Sequence, residues 1–178
     1  MTEQNTPKAA NKILPANIRP IIIRGILLVI GWTLLYKYIL GPSGIPDNQL
    51  SKLVQIGTAE LLSWFYPNVT QAGTVVYIDG TASVSIGHQC NGLELTALYV
   101  GFLLCFPSNI KKLLVYSIAG FVVIYLLNVV RCAVLAVMYI NHNDLTDFAH
   151  HYAFKLVIYA VVFYGWVLYT KKPRVKHA

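Results

Sequence analysis

The sequence predicts an all-α polytopic membrane protein, with about four transmembrane helices, an external amphipathic helix and a small β-hairpin. Two observations carry that class. Of 178 residues, 56% are hydrophobic and 12% charged, with a mean hydropathy of +0.57, whereas a soluble domain carries about a quarter charged residues. The apolar residues also gather into runs long enough to cross a bilayer, each ended by Pro, Gly or basic residues. Most of the basic residues behind the net charge of +7 flank those runs, so they report topology and a lipid bilayer partner rather than nucleic acid. No internal repeat interrupts the pattern.

Residues 1–19 form a polar tail with Lys8, Lys12 and Arg19. The run from Pro20 to Leu40 is the first span and is read as a retained anchor, because no small-residue cleavage site follows it. Arg24 and Lys37 lie near its ends, where they can snorkel. Gly41 to Pro46 is expected to break the helix into a loop. Over residues 50–65 the apolar side chains Leu50, Leu53, Val54, Gly57, Leu61, Trp64 and Phe65 repeat at helical spacing, and Lys52, Gln55 and Ser63 fall on other faces. That pattern predicts an amphipathic helix outside the membrane or in its interface. Residues 74–78 and 81–86 flank Asp79-Gly80, a type I′ turn pair, and so predict a hairpin. A second span is expected from about Asn91 to Phe106, a third from Leu113 to Ile140, and a fourth from near His150-His151 to Leu168.

The N-terminal tail, the 107–112 turn and the C-terminal tail all hold lysines or arginines, which assigns them to the cytoplasm and places residues 41–90 and 141–150 outside. The expected organisation is therefore one membrane-embedded domain over 20–170, with an external insert at 41–90. A polar tail (1–19) and a basic tail (171–178) flank it, in the cytoplasmic (inner) membrane.

Chemistry centres on Gly87-His88-Gln89-Cys90-Asn91-Gly92-Leu93-Glu94, where polar sequence becomes apolar. Cys90 opens the second span at the outer face. Arg131 lies eighteen positions after Leu113, roughly 27 Å up a rising helix and close to the far boundary of a core about 30 Å thick. His150 and His151 open the fourth span at that same face. A thiol activated at a helix N-terminus, an imidazole to carry its proton and a guanidinium to hold an oxyanion make a coherent set for acyl transfer. The free N–H groups of Asn91 and Gly92 would assist the guanidinium.

Blander readings stand beside these. A cysteine in an apolar chain commonly packs as a small hydrophobe, as Cys105 is expected to do. Arg131 within an apolar run costs roughly 2.5 to 3.5 kcal/mol at mid-membrane, and its structural role would be a buried pair with Glu94. Asn128, three residues before it, shares its face and would hold it in place. His88 and His142 read as loop residues, and Tyr152 and Tyr159 as interfacial aromatics. The three cysteines Cys90, Cys105 and Cys132 follow no metal-ligand spacing, and no metal or cofactor is expected.

Cys90-Asn91-Gly92-Leu93 resembles the Cys-(Ala/Ser)-Gly motif of the exosortase and archaeosortase family, Asn128-Val129-Val130-Arg131 resembles its Asn-x-x-Arg, and a late histidine opens the last span. The resemblance covers roughly residues 85–165 and matches a short, minimal member. It implies a membrane-embedded cysteine transpeptidase with Cys90 as nucleophile, Arg131 as transition-state stabiliser and a histidine as proton carrier. The implied substrates are exported proteins ending in a short motif, a transmembrane helix and a basic cluster. They would be cleaved at the outer face, towards the periplasm or exterior, and joined to an envelope acceptor. Two departures stand out. Asn91 replaces a small residue, and the glycine four positions after the histidine is missing, Phe154 following His150 and Lys155 following His151. His151 is favoured, since Tyr159 then falls where the family has an aromatic, with His150 as the alternative. Competing functions are a thiol oxidoreductase using Cys90 with Cys132, and a non-catalytic membrane assembly subunit built on Glu94 and Arg131.

Overall fold

The computed structural model describes residues 19–106 and 108–171, without the side chains of Gln89 and His151. Nearly all of the two expected tails lies outside the described residues. In chain order the elements are α1 (Arg19–Leu35), a π turn (Tyr36–Leu40), α2 (Gly41–Ser43), α3 (Ile45–Ser63), β1 (Val69–Ala72), β2 (Val75–Ile78) and β3 (Thr81–Ser85). A 3-10 turn (His88–Cys90) follows, then α4 (Leu93–Cys105), α5 (Ile110–Ile140), α6 (Thr146–Phe148), a second π turn (Ala149–Ala153) and α7 (Phe154–Thr170).

Among the described residues four apolar helices form, of which only Arg19–Ser43 and Ile110–Ile140 are both long and apolar enough to cross a membrane by themselves. With 13 residues, α4 is about 20 Å long, because the turn carrying Cys90 occupies the outer end of its column. The 31 residues of α5 extend about 46 Å, half again the thickness of a hydrocarbon core. The helix is thus longer than a span needs, and it packs against α3 and β3.

At the opposite end, basic side chains clasp helix C-termini. Arg24 Nη1 donates to the Cys105 carbonyl at 3.1 Å and Lys112 Nζ to the Tyr169 carbonyl at 2.6 Å. Each cation meets the negative end of a helix dipole and satisfies a carbonyl that lacks an intrahelical partner. Arg24, expected to snorkel, is instead bonded across to α4.

Three expectations need correction. The loop foreseen at 41–46 shrinks to Gly44, whose φ of +61° turns the chain. Pro42 and Pro46 each sit in a first helical turn, where a missing N–H is harmless. The hairpin forms with Asp79 and Gly80 both at positive φ, but it belongs to a three-stranded antiparallel sheet in the order β1-β2-β3. Strand β1 is tied to the hairpin turn by Asn68, whose carbonyl accepts from Asp79 N at 2.9 Å and whose amide donates to Asp79 Oδ1 at 3.1 Å.

The third correction concerns α3. Its buried face is Asp47, Ser51, Val54, Gln55, Thr58, Ala59 and Leu62, which shares only Val54 with the apolar stripe read from the sequence. Leu53, Ile56, Trp64 and Phe65 point outward. The helix turns its polar side chains inward because partners wait there: Gln55 Nε2 donates to the carbonyls of Gly73 and Val75 at 3.1 and 3.3 Å.

Two clusters of buried side chains result. An inner one joins α4, α5 and α7 through Tyr99, Leu103, Ile124, Ile158 and Val162. An outer one joins α3, the sheet and α5 through Val54, Leu62, Val76, Ile86, Cys132 and Ala136, and Cys90 belongs to it.

Where α3 crosses α5, a Cβ added at Gly57 would lie 2.5 Å from Tyr125 Oη and 2.9 Å from Val129 Cγ2. Gly57→Leu should therefore destabilise the detergent-solubilised protein by about 1 to 3 kcal/mol through overpacking, read as a lower thermal midpoint. An unchanged midpoint would mean that this contact does not hold α3 in place.

Candidate active site

Cys90 closes the 3-10 turn, its N–H bonded to the Gly87 carbonyl at 2.9 Å, and is 9% exposed. The next two residues are fixed by their surroundings. Asn91, buried, donates from Nδ2 to Asp47 Oδ1 at 2.6 Å, and its Oδ1 accepts from Leu93 N at 2.8 Å. The second bond satisfies one of the free N–H groups at the start of α4. Gly92 has φ +77°, a region in which a side chain is strained. A Cβ there would also lie 2.6 Å from Asn128 Nδ2, so backbone angle and space both demand glycine.

Arg131 lies on α5 beside this turn. It is 6% exposed, its Nε is buried without a hydrogen-bond acceptor, and among the described residues no ion pair joins it to Glu94. Glu94 shares with Arg131 a cleft of about 390 Å³, also lined by His88, Lys155 and Tyr159. Asn128, expected to hold Arg131, donates instead to the Ile124 carbonyl of its own helix at 2.8 Å, and its amide underlies Gly92.

The π turn Ala149–Ala153 carries His150 to Cys90. His150 lines the cleft just described and also a second one of about 370 Å³, whose walls include Ala82 to Ser85 of β3, Leu135, Tyr139, Asp147, Cys132 and Cys90. His150 is thus shared between two clefts, with the thiol in one and the guanidinium in the other. Of the two candidate histidines, His150, given above as the alternative, hydrogen-bonds Cys90. The side chain of His151 lies outside the described residues.

Cys90 precedes α4 and lies outside the membrane-spanning segments. Its pKa falls well below the ordinary thiol value, to about 5. The hydrogen bond from the Cys132 thiol contributes most, followed by the charge of Arg131 and by the hydrogen bond and charge of His150, while burial acts in the opposite direction. The arrangement is a thiolate held among one thiol donor, one guanidinium and one imidazole, as nucleophilic catalysis requires.

Cys132 and Asp147 had no part in the acyl-transfer set read from the sequence. Cys132 immediately follows Arg131 and projects to the same side of α5. Asp147 stands three positions before His150, one helical turn away, and lines the cleft that holds the thiol. Adjacency to each named residue was the one available signal. Among the described residues, no group of three or more His, Cys, Asp or Glu is placed to hold a metal.

A family model described as transmembrane exosortase (Exosortase_EpsH) matches residues 11–170. No curated protein and no solved structure matches the chain.

A thiol with pKa about 5 should alkylate at a constant rate from neutral pH down to roughly pH 6 and slow as the thiolate is protonated below that. Cys132→Ala removes the largest lowering contribution, so the slowing should then begin at higher pH. Iodoacetamide labelling of the Cys90 peptide across pH, read by mass spectrometry, checks both. A wild-type rate that already declines below pH 8 would contradict the described environment.

Proposed function

The chain belongs to the transmembrane exosortase family and is an integral membrane protein, and from that premise we propose that it is a cysteine transpeptidase acting at the outer face of the membrane. The observation that carries the proposal is the meeting of Cys90, Arg131 and His150, from three elements separated by many residues, around one thiol of lowered pKa.

In the proposed reaction, the Cys90 thiolate attacks the carbonyl carbon at the cleavage motif of an exported protein. The carbonyl π electrons move to oxygen, and the Arg131 guanidinium, which pairs with no carboxylate among the described residues, stabilises the oxyanion. Collapse breaks the C–N bond as imidazolium His150 gives its proton to the departing amine. That amine begins the segment holding the substrate's own transmembrane helix and basic cluster, and a thioester remains on Cys90. An envelope acceptor then delivers its proton to His150 and attacks the thioester. The acyl group moves to the acceptor and the thiolate is regenerated. Because His150 faces both clefts, one imidazole can serve the leaving group and the incoming nucleophile in turn.

The positive-inside distribution supports an exterior location for these steps in the cytoplasmic membrane. It also supports reading α4 and α7 as two further spans beside the two long helices. The β3 wall of the cleft supports binding of an extended substrate segment next to Cys90.

A thiol oxidoreductase is the second reading, favoured by the hydrogen bond between Cys90 and Cys132. Cys132→Ala separates the two, since it would end dithiol chemistry but merely slow acyl transfer.

Processing of a co-expressed substrate, followed by the size of its C-terminal fragment, provides the test. Cys90→Ala should abolish cleavage. His150→Ala should slow it by about 10² to 10⁴-fold and Arg131→Lys by about 10² to 10³-fold, while His151→Ala stays near wild type. Normal processing by Cys90→Ala would rule out the nucleophile, and a greater loss in His151→Ala than in His150→Ala would reassign the proton carrier.

A further inference from the structure

Asp47 is 2% exposed in the first turn of α3, and no step of the proposed reaction uses its carboxylate. Its Oδ1 accepts from Asn91 Nδ2 at 2.6 Å, and its backbone carbonyl lies 3.3 Å from the same amide nitrogen. Its Oδ2 accepts from Tyr36 Oη at 2.9 Å, and His88 Nδ1 lies 3.7 Å from Oδ1. One side chain therefore reaches the end of α1 and both flanks of Cys90, His88 two residues before it and Asn91 one after. Asn91 passes the constraint onward, because its other amide atom accepts from Leu93 N at the start of α4.

Two physical points make this more than packing. A buried carboxylate is unfavourable unless its lone pairs are filled, and here donors from α1 and from the cysteine turn fill them. A fully satisfied polar network also selects one geometry, whereas an apolar contact of equal area allows sliding. Asn91 stands where a small residue would leave the Asp47 carboxylate without its shortest bond, so the two residues form a matched pair.

We propose that Asp47 is a positioning residue that, through Asn91, fixes the Cys90 turn so that the thiol faces His150 and Arg131. The catalytic consequence rests on Cys90 being the nucleophile, whereas the positional one does not.

The matched pair gives a direct test. Asp47→Leu alone removes the acceptor that Asn91 Nδ2 uses, and Asn91→Asp alone sets two carboxylates against each other. Combining Asn91→Asp with Asp47→Asn restores complementarity. The amide then at position 47 would donate to the carboxylate at position 91, which still accepts from Leu93 N, and the amide oxygen at position 47 still accepts from Tyr36. Two readouts are taken on the full-length protein in membranes. One is the alkylation rate of Cys90 at fixed pH. The other is substrate processing, resolved into kcat and KM.

Each single variant should change Cys90 alkylation by about tenfold and lower kcat by at least that much with little change in KM, and the double exchange should return both to within a few-fold of wild type. Single variants with wild-type alkylation, or a double exchange no better than the worse single, would overturn the positioning role. Cys90→Ala run in parallel separates the failures. Processing by that variant refutes the nucleophile, while the alkylation data still decide what Asp47 does.

Discussion

A buried guanidinium, beside a cysteine and paired with no carboxylate among the described residues, is the constraint from which the half of the protein around the cysteine turn follows. Arg131 is nearly enclosed, with Nε lacking an acceptor and no ion pair to Glu94. A cation in that condition is expensive, and its surroundings are arranged to limit the expense. Neighbours of opposite polarity come from the thiolate of Cys90 and from the polar cleft that also holds Glu94 and Tyr159. The thiolate and the cation stabilise each other, so each explains why the other tolerates burial. Whatever enters the clefts meets a nucleophile and a positive charge already in place, which is electrostatic preorganisation.

The fold delivers this arrangement through one long helix. With 31 residues, α5 carries Asn128, Arg131 and Cys132 on its buried side, and each does a different job. Asn128 underlies Gly92, Arg131 faces the polar cleft and Cys132 bonds to Cys90. Helix α3 and the sheet then close over the outer turns. The inward polar face of α3 makes sense in this light, because it meets backbone carbonyls of the sheet and the loop that carries the thiol. At the other end Arg24 and Lys112 clasp the ends of α4 and α7, so the inner half is held by cations on carbonyls and by Tyr99 packed among its neighbours.

Much of this was legible in the chain, and the exceptions have physical causes. Helix positions followed from apolar run length and the hairpin from Asp79-Gly80, and helical rise suggested the neighbourhood of Cys90, Arg131 and His150. Strand β1 was hidden because its burial is slight and its residues do not alternate. The buried face of α3 was misread because hydrophobic periodicity marks the core only when water is outside. The contact of His150 with Cys90 was not legible because it depends on a π turn, whose extra residue per turn rotates everything on it. Asp47 counted only as one acid in an external stretch, since nothing in sequence links it to Asn91, forty-four positions away.

The central claim is that Cys90 becomes acylated by its substrate, and trapping that adduct tests it most directly. Membranes holding the protein and an exported substrate would be acid-quenched during turnover and the cysteine peptides resolved by mass. The account predicts a substrate-derived acyl group on the Cys90 peptide, released by hydroxylamine as a thioester must be, and none on Cys105 or Cys132. Cleaved substrate accumulating with the adduct on Cys132, or with no thioester on any cysteine, would contradict it.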